Sequence, residues 1–164
     1  MGWGLMYFFV PIILRRPIWS HALSLVGFWG LAFFYPLQGV HHFLGSPIPM
    51  FAQYAAVVST IAIEIVGTTV IINFFMTWRG SEHGSLYRSM PLRWFWLGAL
   101  NYFIVCFQCA FQVTLTFQQV IHFTDWVVGH AHLVMLGVFS FWIFGMIEHL
   151  WPKLTGNEWW SQGL

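Results

Sequence analysis

Histidine is the residue type in this sequence with the clearest capacity for chemistry. The chain holds eight histidines, against six Lys and Arg and five Asp and Glu residues. Imidazole binds copper, iron or zinc, and it gains or loses a proton near neutral pH. Five of the eight lie at 41–42 and 122–132. These two stretches are the first candidates for a functional site, because the other three histidines are explained as interfacial or loop residues.

His41 and His42 are adjacent and stand just before the break Gly45-Ser46-Pro47. Neighbouring side chains on an ideal α-helix point about 100° apart, so both rings reach one metal ion only where the helix begins to unwind. A loop that starts at this break provides such a place. The pattern fits two ligands of one metal ion, and it also fits two polar residues at a membrane surface.

His130 and His132 are separated by one residue. On a helix this separation turns the two side chains about 200° apart, so the rings cannot share a metal ion. They can each bind a different cofactor on opposite faces of one helix, and axial ligation of two hemes uses that arrangement. The alternative is a pair of polar residues near the membrane interface.

The composition predicts that membrane helices position these histidines. The chain has 164 residues, of which 59% are apolar and 7% are charged, and its mean hydropathy is +0.71. Ordinary soluble domains carry about 25% charged residues, so a soluble protein is excluded. A net charge of +1 provides no field that attracts nucleic acid. We predict an all-α, polytopic membrane helix bundle with four full spans, 18–40, 51–78, 92–116 and 126–151, after a partial N-terminal helix, 1–14.

The basic residues predict the orientation of the bundle. If the four spans alternate in direction, all six lie at one end, which the positive-inside rule places in the cytoplasm. The loops 41–50 and 117–125 then lie at the outer end, where five histidines converge at one depth. The six residues are Arg15, Arg16, Arg79, Arg88, Arg93 and Lys153.

Three motifs in order give the sequence a family resemblance. They are Met6-Tyr7-Phe8-Phe9-Val10-Pro11, Gly39-Val40-His41-His42, and Thr124-Asp125-Trp126-Val127-Val128-Gly129-His130-Ala131-His132 with Leu136-Gly137. Together they resemble subunit I of the heme-copper oxygen reductases, and most closely the cbb-type cytochrome c oxidases. The resemblance covers nearly the whole chain, so residues 1–164 are expected to form a single membrane domain that corresponds to the middle of that subunit.

The resemblance implies roles for four histidines. His41 and His42 correspond to two ligands of the active-site copper. His130 corresponds to the proximal ligand of a high-spin heme, and His132 to one axial ligand of a low-spin heme, expected to be b-type. His122, together with Asp125, corresponds to residues that contact heme propionates, although hydrogen bonds to the loop backbone also explain both.

Tyr35 stands seven residues before His42, which is two helical turns along one face. The cbb-type enzymes carry an active-site tyrosine shortly before the histidine pair. The resemblance implies that Tyr35 supplies a proton and an electron when the O–O bond breaks. A packing role for this aromatic side chain is the alternative, and related nitric oxide reductases lack such a tyrosine.

Glu64 is an acidic residue near the middle of the second full span. It is compatible with proton delivery, with an iron site as in nitric oxide reductases, or with a protonated group bonded to a neighbouring helix. Polar residues that follow it along the span are explained either by a proton path or by helix packing. Gln108 stands near the position at which the family carries a glutamate, and this departure argues against a proton role there. Cys106 and Cys109 are expected to be buried, reduced residues of the helix, with a redox pair as the alternative. The polar residues that follow Glu64 along its span are Thr68, Thr69, Asn73 and Thr77.

The predicted function is part of the catalytic core of a respiratory terminal oxidase that reduces dioxygen to water and translocates protons. The third copper histidine and the second low-spin heme ligand would come from the missing part of subunit I, whether that is a second chain or the rest of a longer one. Other expected partners are further oxidase subunits, a c-type cytochrome donor and the lipid bilayer, in a bacterial inner membrane. Nitric oxide reduction and a non-catalytic heme-binding membrane fragment are the alternatives.

Overall fold

The computed structural model describes residues 2–86 and 88–159. In these ranges the regular elements are all helical, which confirms the predicted all-α fold. A 3₁₀ turn, Gly39–Phe43, extends α2, and a π-helical segment, Leu133–Ser140, joins α6 to α7. The helices are α1 (Gly2–Leu14), α2 (His21–Gln38), α3 (Met50–Trp78), α4 (Met90–Gln112), α5 (Leu115–Ile121), α6 (Asp125–His132) and α7 (Phe141–Thr155).

Four stretches are long and apolar enough to cross a bilayer, as predicted. They are His21–Phe43, Met50–Trp78, Met90–Gln112 and Asp125–Thr155. A bilayer core needs about 20 helical residues, so α1 is too short to cross it. This agrees with the predicted partial segment 1–14, whose first residue lies outside the described ranges. The chain is therefore an integral, multi-pass membrane protein.

The ends of two predicted spans need correction. The first begins at His21 rather than at residue 18, because the Ser20 hydroxyl accepts a hydrogen bond from the Leu23 N–H at 3.2 Å and caps α2. The third ends at Gln112 rather than at residue 116. Thr114 has an extended backbone, and its hydroxyl donates to the Phe111 carbonyl at 2.9 Å. Gln112 is thus the last residue of α4, and residues 115–116 of the predicted span belong to the separate helix α5.

The hydrophobic core lies between α1, α3, α4 and α7. Val10, Val70, Phe95 and Trp142 are all buried there. Gly98 allows α4 to approach α7, since a Cβ at this position would lie 2.5 Å from Trp142 Nε1. Small residues commonly permit such close contacts between membrane helices.

Helix α2 packs mainly against α3 and leaves most of its surface uncovered. Gly30 makes the contact possible, because a Cβ there would lie 2.5 Å from Val66 Cγ2. On the other side of α2 large apolar side chains are exposed, and Phe33 is 77% exposed. This surface is suited to lipid or to further membrane helices.

Buried polar residues join α3 to the start of α2 at the basic end of the bundle. Asn73 accepts from the Ser20 N–H at 2.9 Å and donates to the Ser20 carbonyl at 2.8 Å. Thr77 accepts from the Trp19 N–H at 2.9 Å. The Thr68 and Thr69 hydroxyls donate to backbone carbonyls of α3 itself. These bonds favour helix packing over a proton path for the four polar residues.

Candidate functional site

The histidine pair lies where α-helical geometry ends. Residues Gly39–Phe43 form a 3₁₀ turn, so the expected departure from the α-helix is present. The ring centroids of His41 and His42 are 4.4 Å apart, and their Nε2 atoms are 3.2 Å apart. Two nitrogens on one metal ion lie within about 4.2 Å of each other, because each metal–nitrogen bond is about 2.1 Å long. The pair therefore fits one shared metal ion.

Thr60 of α3 determines which nitrogen of His41 carries the proton. The Thr60 hydroxyl donates to the Ala56 carbonyl at 2.7 Å. Its oxygen must therefore accept the hydrogen bond that it shares with His41 Nδ1 at 3.0 Å. His41 is then protonated on Nδ1, and Nε2 keeps its lone pair for a metal ion. Partners of this kind orient most metal-binding histidines.

His130 is half-buried and faces α4. Its Nδ1 lies 3.0 Å from Gln108 Oε1, an acceptor, so Nε2 is the unprotonated nitrogen here as well. The Cys109 sulfur lies 3.5 Å from this Nε2. Iron and the thiol cannot occupy the same position, so heme binding at His130 requires the ring and the thiol to move apart.

His132 is exposed on a different face of the same helix from His130. Its Nδ1 donates to the Val128 carbonyl at 2.8 Å, which again leaves Nε2 unprotonated. The two rings thus diverge as their spacing predicts. A π-helical segment begins at the next residue, and segments of this kind are frequent at functional sites.

The histidines of separate helices come close to one another. His130 is within electrostatic range of both His41 and His42. Across residues 2–86 and 88–159, however, no group of three His, Cys, Asp or Glu side chains is arranged to hold a metal ion. The described part of the chain therefore provides a pair of candidate copper ligands and not a complete set.

His122 and Asp125 lie on either side of the turn that precedes α6. His122 Nδ1 is 2.8 Å from Gln118 Oε1. Asp125 is exposed in the first turn of α6, where its charge interacts favourably with the helix dipole. Their assignment to propionates stays a prediction.

Tyr35 is 62% exposed on α2. In the described ranges its hydroxyl makes no hydrogen bond, so nothing joins it to the histidine pair directly. Its catalytic role also stays a prediction.

Glu64 lies one helical turn beyond Thr60 and interacts with the Cys106 and Cys109 thiols of α4. Its Oε2 atom is buried and has no hydrogen-bond partner among the described residues. The carboxyl group is thus directed toward α4 and does not join the histidine pair in a metal site.

Thr60 and Cys109 are among the partners of the histidines that the sequence did not predict. Thr60 is one hydroxyl among several in α3, and its contact with His41 depends on how α2 packs against α3. For Cys109 the sequence predicted no contact with a histidine. Its 21-residue separation from His130 gives no sign that the two side chains meet.

Comparison with known proteins identifies the family. The cytochrome c and quinol oxidase polypeptide I family matches residues 1–164. The chain belongs to this family. The resemblance to the heme-copper oxygen reductases is therefore confirmed, and oxidoreductase is the function class of the family.

Bacterial oxidase subunits are among the most similar relatives. A cbb3-type cytochrome c oxidase subunit from Stutzerimonas stutzeri is 33% identical over 156 residues, which are 94% of this chain and 32% of the relative. A cytochrome c oxidase subunit 1 homolog from Agrobacterium tumefaciens is 32% identical over 94% of this chain and 29% of its own. A cytochrome c oxidase subunit 1 from Rhodobacter capsulatus is 31% identical, with the same coverage of 94% and 29%. This oxidase-family chain thus spans about a third of the length of these relatives.

Proposed function

We propose that this chain forms part of the catalytic core of a respiratory terminal oxidase in a bacterial inner membrane. The assembled enzyme reduces dioxygen to water and couples the reaction to proton translocation. The observation that carries the proposal is shared by His41, His130 and His132. Each has a protein acceptor at Nδ1 and therefore an unprotonated Nε2, the form in which histidine binds metals.

The site residues divide between two kinds of metal centre. His41 and His42 would hold copper, His130 a high-spin heme, and His132 a low-spin heme of b-type. When bound, all three groups would supply redox-active metals, and the copper and the high-spin heme would offer coordination positions open to a small substrate. Tyr35 is proposed as the donor of a proton and an electron.

Protein hydrogen bonds orient the ligand rings in this proposal. Thr60 holds His41 against α3, Gln108 holds His130 against α4, and the Val128 carbonyl holds His132. His122 and Asp125 are proposed to contact heme propionates at the end of the bundle that bears the second outer loop. Each ring is thus positioned by a different part of the bundle.

The proposal requires protein partners. A third copper histidine and a second low-spin heme ligand have to come from the rest of subunit I, since the described chain places only two imidazoles together. A c-type cytochrome is the proposed electron donor, and further oxidase subunits and the bilayer complete the assembly.

The position of Glu64 favours oxygen reduction over nitric oxide reduction. A non-heme iron site with glutamate ligands would need this carboxyl group beside the histidine pair. Glu64 interacts instead with Cys106 and Cys109.

Alanine variants of single histidines in the assembled complex test the proposal. We expect His130→Ala to remove the high-spin heme signal from the optical spectrum and to retain the low-spin signal. His132→Ala should have the opposite effect, and His41→Ala should lower the copper content. His83→Ala, at an exposed position in the loop before α4, is the control and should leave hemes and copper unchanged.

Two results would contradict the assignment. One is the loss of the same heme from both the His130→Ala and the His132→Ala variants. The other is a purified complex that contains non-heme iron and lacks copper, which would point to nitric oxide reduction. Hemes present without any oxygen consumption would indicate a non-catalytic heme-binding protein.

A further inference from the structure

A series of polar side chains extends from the middle of α3 to the predicted outer end of the bundle. It comprises Glu64, Cys109, Gln112, Gln118 and His122, and we name it the outer polar column. Glu64 lies at the midpoint of Met50–Trp78. Cys109, Gln112 and Gln118 are buried, so the column passes through the interior of the protein.

Each member of the column contacts the next. Glu64 interacts with the Cys109 thiol, whose sulfur lies 3.8 Å from the donor Gln112 Nε2. Gln118 Nε2 donates to the backbone carbonyl of Gln112. Because the Gln118 amide nitrogen is directed there, its Oε1 accepts from His122 Nδ1 at 2.8 Å. The three outer hydrogen bonds therefore all donate inward, toward Glu64.

This common direction matters because each donated N–H group points its positive end inward, and the bonds that His122 and Gln118 donate in series polarise one another. The positive ends of the aligned groups face Cys109 and Glu64. At this end of the column the Glu64 carboxyl group becomes negatively charged when it loses its proton, and the inward-facing positive ends stabilise that charge. The column is thus arranged around a group that can gain and lose a proton.

Two oxygens of the column lack a donor. Glu64 Oε2 and Gln112 Oε1 are both buried and accept no hydrogen bond from the described residues. Both belong to side chains that contact Cys109. Orphaned buried acceptors are rare in proteins, and ordered water is the usual donor to such atoms. Water between these groups can carry a proton, whereas the glutamine amides can only orient it.

No comparable column leads from Glu64 toward the basic end among the described residues of α3. The Thr68 and Thr69 hydroxyls are bonded to backbone carbonyls of α3. Asn73 and Thr77 bind the backbone of residues 19–20. On α4, Cys106 and Tyr102 also lie beside Glu64. Among the described residues the outer polar column is the series that continues from Glu64 to an end of the bundle, which favours exchange toward the His122 end.

We propose that Glu64 exchanges its proton with the aqueous phase at the His122 end of the bundle, through water ordered along the outer polar column. In each exchange one proton passes from the carboxyl group to water and leaves a carboxylate, and reprotonation reverses the step. Tyr102 and Cys106 of α4 also interact with Glu64 and shape its surroundings. The exchange is measurable in the resting complex, so it does not rest on the proposed oxygen reduction.

Infrared spectroscopy of the complete complex in sealed, right-side-out vesicles tests this exchange, because a pH step then reaches one face at a time. The difference between the wild type and Glu64→Gln assigns the carboxylic C=O band of Glu64. We expect the band to respond first to a pH step at the His122 face. Gln118→Met removes two hydrogen bonds of the column and should slow this response about tenfold.

Gln119→Met is the matched control, because Gln119 is exposed beside Gln118 and lies outside the column. It should leave the response rate unchanged. Gln112→Met interrupts the column at a different step and should reproduce the slowing even if Gln118→Met fails to assemble. The proposal is overturned if the band responds first to the opposite face, or if the Gln118 and Gln119 variants behave alike. It is also overturned if no Glu64 band is found at any pH at which the complex stays intact.

Discussion

Two buried polar regions of this bundle differ in how completely their hydrogen bonds are satisfied. At the basic end Asn73 uses both ends of its amide, and its Nδ2 also donates to the Tyr7 hydroxyl at 3.3 Å. In the outer polar column, one oxygen each of Glu64 and Gln112 receives no hydrogen bond from the described part of the chain. Both regions lie in membrane-spanning helices, where an unsatisfied polar group is costly.

The difference distinguishes a region that stabilises the fold from a region that can bind a ligand. A fully bonded buried network specifies one arrangement of helices and has nothing left with which to bind a ligand. A network with open acceptors contributes less to folding and retains the capacity to bind water, a proton or a cofactor. We therefore expect substitutions at the basic end to affect mainly stability, and substitutions near the histidines to affect mainly metal and proton binding.

The largest stability loss is expected for Asn73→Leu. The substitution removes both hydrogen bonds between the buried Asn73 side chain and Ser20, leaves the half-buried Ser20 N–H without this acceptor, and weakens the contact between the start of α2 and α3. A loss of about 2 kcal/mol in the free energy of unfolding follows from losing the hydrogen bonds of Asn73 at about 1 kcal/mol each. Thermal unfolding of the purified complex, followed by circular dichroism, measures it.

Thr68→Val is the control on the same helix. Its hydroxyl is exposed and bonds only to the backbone carbonyl of Glu64. We expect a change within about 0.5 kcal/mol, as for most surface substitutions. A loss equal to that of Asn73→Leu would show that the Asn73 bonds have no special role.

Thr60→Val is expected to weaken copper binding while retaining most of the fold. Valine keeps the shape of threonine but cannot accept the His41 Nδ1 proton, so the ring is no longer fixed in the tautomer that exposes Nε2. Loss of such a partner typically lowers metal affinity about 10- to 100-fold. Copper content after dialysis against a graded chelator measures the effect.

Ser59→Ala is the neighbouring control for this prediction. Ser59 is also buried in α3, but the acceptor of the His41 Nδ1 hydrogen bond is Thr60. Copper retention equal to that of the wild type is expected for Ser59→Ala. If Thr60→Val also retained copper fully, the orientation of His41 would have to come from elsewhere.

The sequence predicted the helices well because their signal is local. Runs of about 20 apolar residues are readable without any knowledge of packing. The errors occurred where single hydrogen bonds decide an end, at Ser20 for α2 and at Thr114 for α4. The π-helical segment after His132 was not foreseen, because its residues are as apolar as those of a regular helix.

The candidate site was predictable in part. The spacing of His130 and His132 fixes the divergence of their rings, and the break after His42 indicates where α-helical geometry ends. The contacts of Thr60 with His41 and of Cys109 with His130 depend on packing between helices. Such contacts produce no periodic pattern in a single sequence, so only the structure shows them.

The smallest stability change is expected for Glu64→Gln, which sharpens the comparison between the two regions. Glutamine has the size of glutamate, and the buried Oε2 has no hydrogen bond to lose. We expect the free energy of unfolding to change by less than about 0.5 kcal/mol. Asn73→Asp is the matched exchange at the basic end. It removes the Nδ2 group that donates to the Ser20 carbonyl and to the Tyr7 hydroxyl, so it should cost at least about 1 kcal/mol. Thermal unfolding of both variants measures this difference. Equal losses in the free energy of unfolding would show that the outer polar column stabilises the fold in the same way as the Asn73 region.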